Sequence, residues 1–121
     1  MYTACVLEES SRNELLGRFM LPAGFEILAH HMTVDMKPIA KSMAAEMHRQ
    51  RCEMKVIRFG RLDGIIAVEV ETEVPSKNAR KHITLCVDRA NGWKPVQSND
   101  IIDWIDVVET FPIFGIVKEV A

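Results

Sequence analysis

The sequence predicts an α+β domain in which antiparallel strands carry helices on their outer side. Six β-leaning apolar runs and two stretches with apolar residues at helical spacing point there, and no Pro/Ser-rich linker or low-complexity tract divides the 121 residues. With 48% hydrophobic residues, one domain of this length can bury a core without disulfides or a structural metal. Neither a multidomain enzyme nor a disulfide-stapled miniprotein is expected.

Each element has its own justification. Tyr2 to Leu7 is a short β-leaning run. Ser10 then offers a helix N-cap with Glu14 in the first turn, and Leu15, Leu16, Phe19 and Met20 supply an apolar face until Pro22-Ala23-Gly24 ends the helix. Glu26 to Met36 reads as a strand. Pro38 opens a second helical stretch in which Ile39, Met43, Ala44 and Met47 recur at helical spacing. Met54 to Phe59, Ile65 to Glu73 and Lys81 to Asp88 read as strands, with Asp63-Gly64 as the hairpin turn between the first two. Ala90 to Pro95 is a loop, and Ser98-Asn99-Asp100 can cap a short helix containing Ile101, Ile102 and Trp104. A last strand covers about Phe114 to Val120.

Charge and cysteine usage narrow the function classes. Fifteen Lys+Arg against seventeen Asp+Glu give a net charge of −2, which excludes a protein that coats nucleic acid through bulk positive charge. Cys5, Cys52 and Cys86 form an odd set without a C-x-x-C pair, each among apolar residues, as expected in a reducing compartment. The N-terminus lacks a basic region followed by a long apolar one, and no apolar run approaches the roughly 20 residues that span a bilayer. The expectation is a soluble cytoplasmic protein.

One internal echo carries chemistry. His31-Met32-Thr33-Val34 and His82-Ile83-Thr84-Leu85 each place His-x-Thr inside an apolar strand, 51 residues apart, a spacing that suits two related lobes facing one another. Side chains alternate across a strand, so His31 and Thr33 share one face, His82 and Thr84 share another, and Ile83, Leu85 and Val87 enter the core. A single copy is adequately read as decoration of a half-exposed strand; two copies, both on strands, shift the balance toward a shared role. Cleaving a phosphodiester requires a base for the attacking water or hydroxyl and an acid for the leaving oxygen. Two histidines flanking one phosphate supply both near neutral pH. A threonine beside each can donate a hydrogen bond to a non-bridging phosphate oxygen. This chemistry requires no metal.

The two motifs resemble the His, hydrophobic, Thr/Ser, hydrophobic signature of the 2H phosphoesterase superfamily. Together with Ala29-His30 and the run Gly92 to Ile101, they look like the branch related to the cyclic phosphodiesterase domain of fungal-type tRNA ligases and to small RNA-repair-like proteins. The resemblance implies two pseudo-symmetric α/β lobes with helices outside and both motifs in a central cleft. It further implies a cofactor-free hydrolase acting on 2′,3′-cyclic phosphate RNA ends, or on a related nucleotide phosphodiester, in RNA repair or processing. His31 and His82 become acid and base, and Thr33 and Thr84 bind phosphate. An RNA end or small nucleotide is the implied partner, no membrane is involved, and an RNA ligase or kinase would act in the same pathway. Degradation of a cyclic nucleotide messenger and sequestration of a nucleotide or RNA end without turnover are the alternatives.

Other residues carry competing readings. Seven basic residues stand against Glu46 and Glu53 between Lys37 and Arg61, and five against Asp88 between Lys77 and Lys94, so positive charge collects next to the motifs in sequence. Solvated helix and hairpin faces account for such runs equally well. Alternation puts His30 on the strand face opposite His31, and His48 suits a helix C-terminus. A zinc site built from His30, His31, His82 and a cysteine lacks the usual ligand spacing and leaves both threonines idle. Lys94, Ser98 and Asn99, in the loop after the second motif, are candidate substrate contacts, with helix capping as the competing role for Ser98.

Overall fold

Strand-forming residues dominate the folded chain more completely than periodicity suggests. The computed structural model describes residues 1–121 and contains, in order, β1 (Tyr2–Leu7), α1 (Glu9–Arg18), β2 (Glu26–Ile27), β3 (His31–Asp35), β4 (Arg51–Leu62), β5 (Ile65–Glu71), β6 (His82–Val87) and β7 (Trp104–Val120). Every strand pairing is antiparallel. Strands β1, β3, β6, β5, β4 and β7 close on themselves into a six-stranded barrel, and β2 adds to β6 beside β3.

This corrects the expected architecture of two helix-flanked lobes with a central cleft. Strand β7 is 17 residues long and pairs with both β1 and β4, while β6 pairs with both β3 and β5. These shared strands join what would have been two separate sheets, and closure removes their free edges. One α-helix remains on the outside.

The second expected helix is absent because carboxylates outside the segment take its backbone N–H groups. Residues Ile39–Lys41 and Ala45–Met47 form two 3₁₀ turns. The buried Asp35 carboxylate accepts from the backbone N–H of Lys37 (3.3 Å) and of Met43 (3.2 Å), and Glu119 accepts from Ile39 N–H (3.2 Å). Those long-range partners hold the segment in turns. The expected helix after Ser98 is absent too. Trp104 instead opens β7 opposite Gly60, where an added Cβ would lie 2.5 Å from the indole. In α1 the N-cap is Glu8 with no side-chain cap bond, so the expected serine cap is absent; the Ser11 hydroxyl instead accepts from Phe114 N–H at 2.8 Å.

Strand alternation fills the barrel. Cys5, Met32, Val34, Met54, Val68, Ile83, Leu85 and Ile113 all belong to the interior cluster and are fully buried. A separate, smaller cluster of buried Ile65, Ala67, Val87 and Ile101 has Trp93 and Trp104 packed against it. All three cysteines are free; Cys5 and Cys86 are buried, and Cys52 is only partly so. Burial pushes the Cys5 thiol up to about 12 and the Cys86 thiol up to about 11. No helix is long and apolar enough to cross a membrane.

Candidate functional site

The residues that alternate with the core define the outer wall of β1, β3 and β6. Met32 and Val34 of β3, and Ile83 and Leu85 of β6, point inward, so His31, Thr33, His82 and Thr84 point outward. All four line one cavity of about 530 Å³. Met32 pairs with Ile83 in the antiparallel register, which sets Thr33 across from His82. His31 and His82 therefore stand on a diagonal, a relation that in a sheet separates residues by about 7–8 Å. One tetrahedral phosphate can meet an imidazole on each side at that spacing.

Each group has defined partners. His82 Nδ1 lies 2.8 Å from the carbonyl oxygen of Arg80, so Nδ1 carries the proton and a neutral ring leaves its Nε2 lone pair free. His31 Nε2 lies 3.4 Å from the Tyr2 hydroxyl, and its Nδ1 lies 2.9 Å from His30 Nδ1. Thr84 Oγ1 shares a 2.6 Å hydrogen bond with Ser98 Oγ. Ser76 Oγ donates to the Thr33 carbonyl at 2.7 Å, and Lys77 N–H donates to the Val34 carbonyl at 2.7 Å. The segment around Ser76 thus docks along β3 and brings Asn78 to the cavity rim.

The link between β2 and β3 departs from simple alternation. Ala29 has φ +46° and is fully buried, and the backbone bonds of Leu28 and Ala29 to β6 are offset by two residues from the Met32–Ile83 pair. This local bulge turns His30 toward His31, correcting the expectation that they occupy opposite faces. His48 is exposed after a 3₁₀ turn, so no α-helix terminus holds it.

The loop candidates separate. Ser98 is 1% exposed and acts on Thr84, positioning the threonine instead of touching a ligand; it makes no side-chain cap bond. Asn99 lines the cavity, with Nδ2 donating to the Val96 carbonyl at 3.1 Å. Lys94 does not reach the cavity; its backbone N–H donates to Gln97 Oε1 at 2.7 Å. Tyr2, Leu28, His30, Met36, Asn78, Pro95 and Val96 complete the lining, and no motif in the sequence marks them as site residues. Tyr2 shares the outward alternation of Ala4 and Val6, but only the β1–β3 pairing reveals that this face meets His31.

Charge is arranged differently from its order along the chain. No Lys or Arg lines the cavity. Arg51 pairs with Glu8, Arg89 with Glu26, and Arg58 and Arg80 both with Glu69, the residue across from His82. Folding thus spends much of the apparent basic excess on acidic partners. No cluster of three or more His, Cys, Asp or Glu side chains is arranged to hold a metal ion.

The histidines are correspondingly poor proton holders in the free protein. Burial, helped by the nearby His30 and His82, pushes His31 down to about 4. His82 is lowered mainly by burial, opposed by the Arg80 carbonyl and Glu69. Folding therefore favours both neutral rings. The unfolded chain binds more protons once pH falls below about 6.5, so this contribution is complete above that value and lost as pH drops toward 4. For His31 the loss amounts to about 3 kcal/mol. Denaturant unfolding between pH 7 and 4.5 should show falling stability, with a shallower slope in His31→Gln; identical slopes would contradict the assignment.

No family model matches the chain, and neither a curated protein nor a solved structure matches it.

Proposed function

We propose that the protein is a phosphodiesterase that hydrolyses a 2′,3′-cyclic phosphate, on an RNA end or a small nucleotide, by paired-histidine acid–base catalysis. The observation that carries this reading is the convergence of His31, Thr33, His82 and Thr84 on one cavity, with the histidines on a diagonal. One imidazole takes a proton from water as its oxygen attacks phosphorus. The other protonates the ribose oxygen released when the ring P–O bond breaks. Thr33 and Thr84 hydroxyls donate to the non-bridging oxygens, where negative charge grows. Thr84 Oγ1 and Ser98 Oγ share one hydrogen bond; with Ser98 as its donor, the threonine hydrogen is available for phosphate.

The lining also favours a ligand with one phosphate at the chemistry. A strand held through many phosphates requires several Lys or Arg contacts, and the cavity has none. Its aromatic, apolar and amide groups suit a single nucleotide. An arriving anion favours the charged imidazoles, so ligand binding itself offsets the low proton affinity of His31.

The test is incubation with 2′,3′-cyclic mononucleotides, cyclic oligonucleotides and RNA bearing a cyclic phosphate end, followed by product analysis with and without chelator. The expected result is a phosphomonoester, formed equally in both conditions. Tight binding with recovery of unchanged ligand would replace the enzyme by a sequestering module. Turnover confined to cyclic oligonucleotides would make the substrate a messenger instead of an RNA end.

A further inference from the structure

The two motifs leave a third imidazole unexplained. His30 is solvent-exposed, lines the same cavity, and places Nδ1 2.9 Å from His31 Nδ1, with the rings edge to face at 84°. A contact of that length between two ring nitrogens requires one proton between them, because two would clash and none would leave facing lone pairs. The bulge at Ala29, with its positive φ, is what brings the rings together.

We infer that His30 and His31 form one proton-holding unit in which exposed His30 recharges the catalytic acid His31 from solvent while substrate occupies the cavity. Its catalytic part rests on the phosphodiesterase reading; the proton sharing does not. The pair has three proton positions: His30 Nε2, the shared Nδ1 site and His31 Nε2. In the neutral resting form His30 donates its Nδ1–H to His31 Nδ1, and His31 keeps Nε2–H toward the phosphate. A solvent proton added at His30 Nε2 makes the pair a cation. The shared proton shifts to His31 Nδ1, and the His31 Nε2 proton passes to the leaving ribose oxygen as the P–O bond breaks. The pair is neutral again, with protons at His30 Nε2 and between the rings; once product leaves, His31 Nε2 takes a proton from water entering the cavity, the shared proton returns to His30 Nδ1 and His30 Nε2 releases its proton to solvent, which restores the resting form.

The same geometry assigns the base. His82 Nδ1–H is committed to the Arg80 carbonyl, so its Nε2 takes the proton of the attacking water and later returns it to solvent. The titratable groups facing His31 are Tyr2 from β1, His82 from β6 and His30 from its own segment. Removing His30 takes away one like charge and the partner of His31 Nδ1, leaving burial and His82 to act.

Imidazole NMR titration of wild type, His30→Ala and His30→Asn, together with pH profiles of kcat for a 2′,3′-cyclic mononucleotide, tests the inference. In His30→Ala the His31 titration should rise by about 1 pH unit. Its kcat should fall about tenfold, less than for losing the acid itself, and added imidazole should restore part of it. His30→Asn retains a donor near the Nδ1 position but cannot relay, so it should keep the His31 tautomer and still lose turnover. An active enzyme whose His31 titration and kcat profile are unchanged in both variants overturns the inference while sparing the phosphodiesterase. Coupled His30 and His31 titrations in a protein inactive on every substrate retain the shared proton, overturn its role in recharging an acid, and retire the phosphodiesterase reading.

Discussion

His82→Ala and His31→Ala should each lower kcat for a 2′,3′-cyclic nucleotide by about 10²- to 10⁴-fold, the loss expected when a general acid or base is removed. The double variant should be little worse than the poorer single one, because acid and base act in one transition state and their effects do not add. His82→Asn separates chemistry from placement: its amide can still donate to the Arg80 carbonyl, which His82 Nδ1 approaches at 2.8 Å, but it cannot accept a proton from water. It should be as inactive as His82→Ala. Both histidines stand on the outer wall, so urea unfolding at neutral pH should show folded proteins throughout. Either single alanine variant retaining activity within a few fold of wild type would remove the paired mechanism.

Ile83→Ala should cost about 2–5 kcal/mol of stability, the range for emptying a well-packed aliphatic site. Ile83 is 0% exposed and is the direct partner of Met32, so it lies inside the barrel behind both motifs. The cavity would loosen the one registered pair between β3 and β6, which sets the diagonal of His31 and His82. Activity should therefore fall together with stability, as misplacement of about 1 Å can cost roughly 10²-fold. Ile102→Ala, at a residue 84% exposed, should stay within about 0.5 kcal/mol of wild type. Urea midpoints and kcat measured on the same preparations check both expectations. An Ile83→Ala protein as stable as Ile102→Ala would contradict the packing.

What was legible in the sequence follows a physical division. Alternation depends only on the strand backbone, so the outward placement of each His-x-Thr and the inward placement of Met32, Ile83 and Leu85 could be read in advance. His30 could not, because its direction depends on the bulge at Ala29, which reflects how β2 and β3 both meet β6. The apolar spacing from Ile39 to Met47 indicated a helix, but Asp35 and Glu119 bind backbone N–H groups of that segment. A carboxylate 80 residues away is invisible to periodicity. Ser98 carried the right composition for a ligand contact, yet only the folded loop shows it buried against Thr84.

The sequence by itself determined two strands bearing an imidazole and a hydroxyl on one face, a near-neutral net charge and an apolar alternation sufficient for a core. These are local consequences of a backbone with period two. Tertiary structure decided that the strands close into a barrel, that both motifs share one cavity, and that Tyr2 and His30 join them. It also decided that Arg51, Arg58, Arg80 and Arg89 answer to Glu8, Glu26 and Glu69, and that no Lys or Arg lines the cavity. Strand partners and ion pairs join residues distant along the chain, so closing the barrel was what determined them.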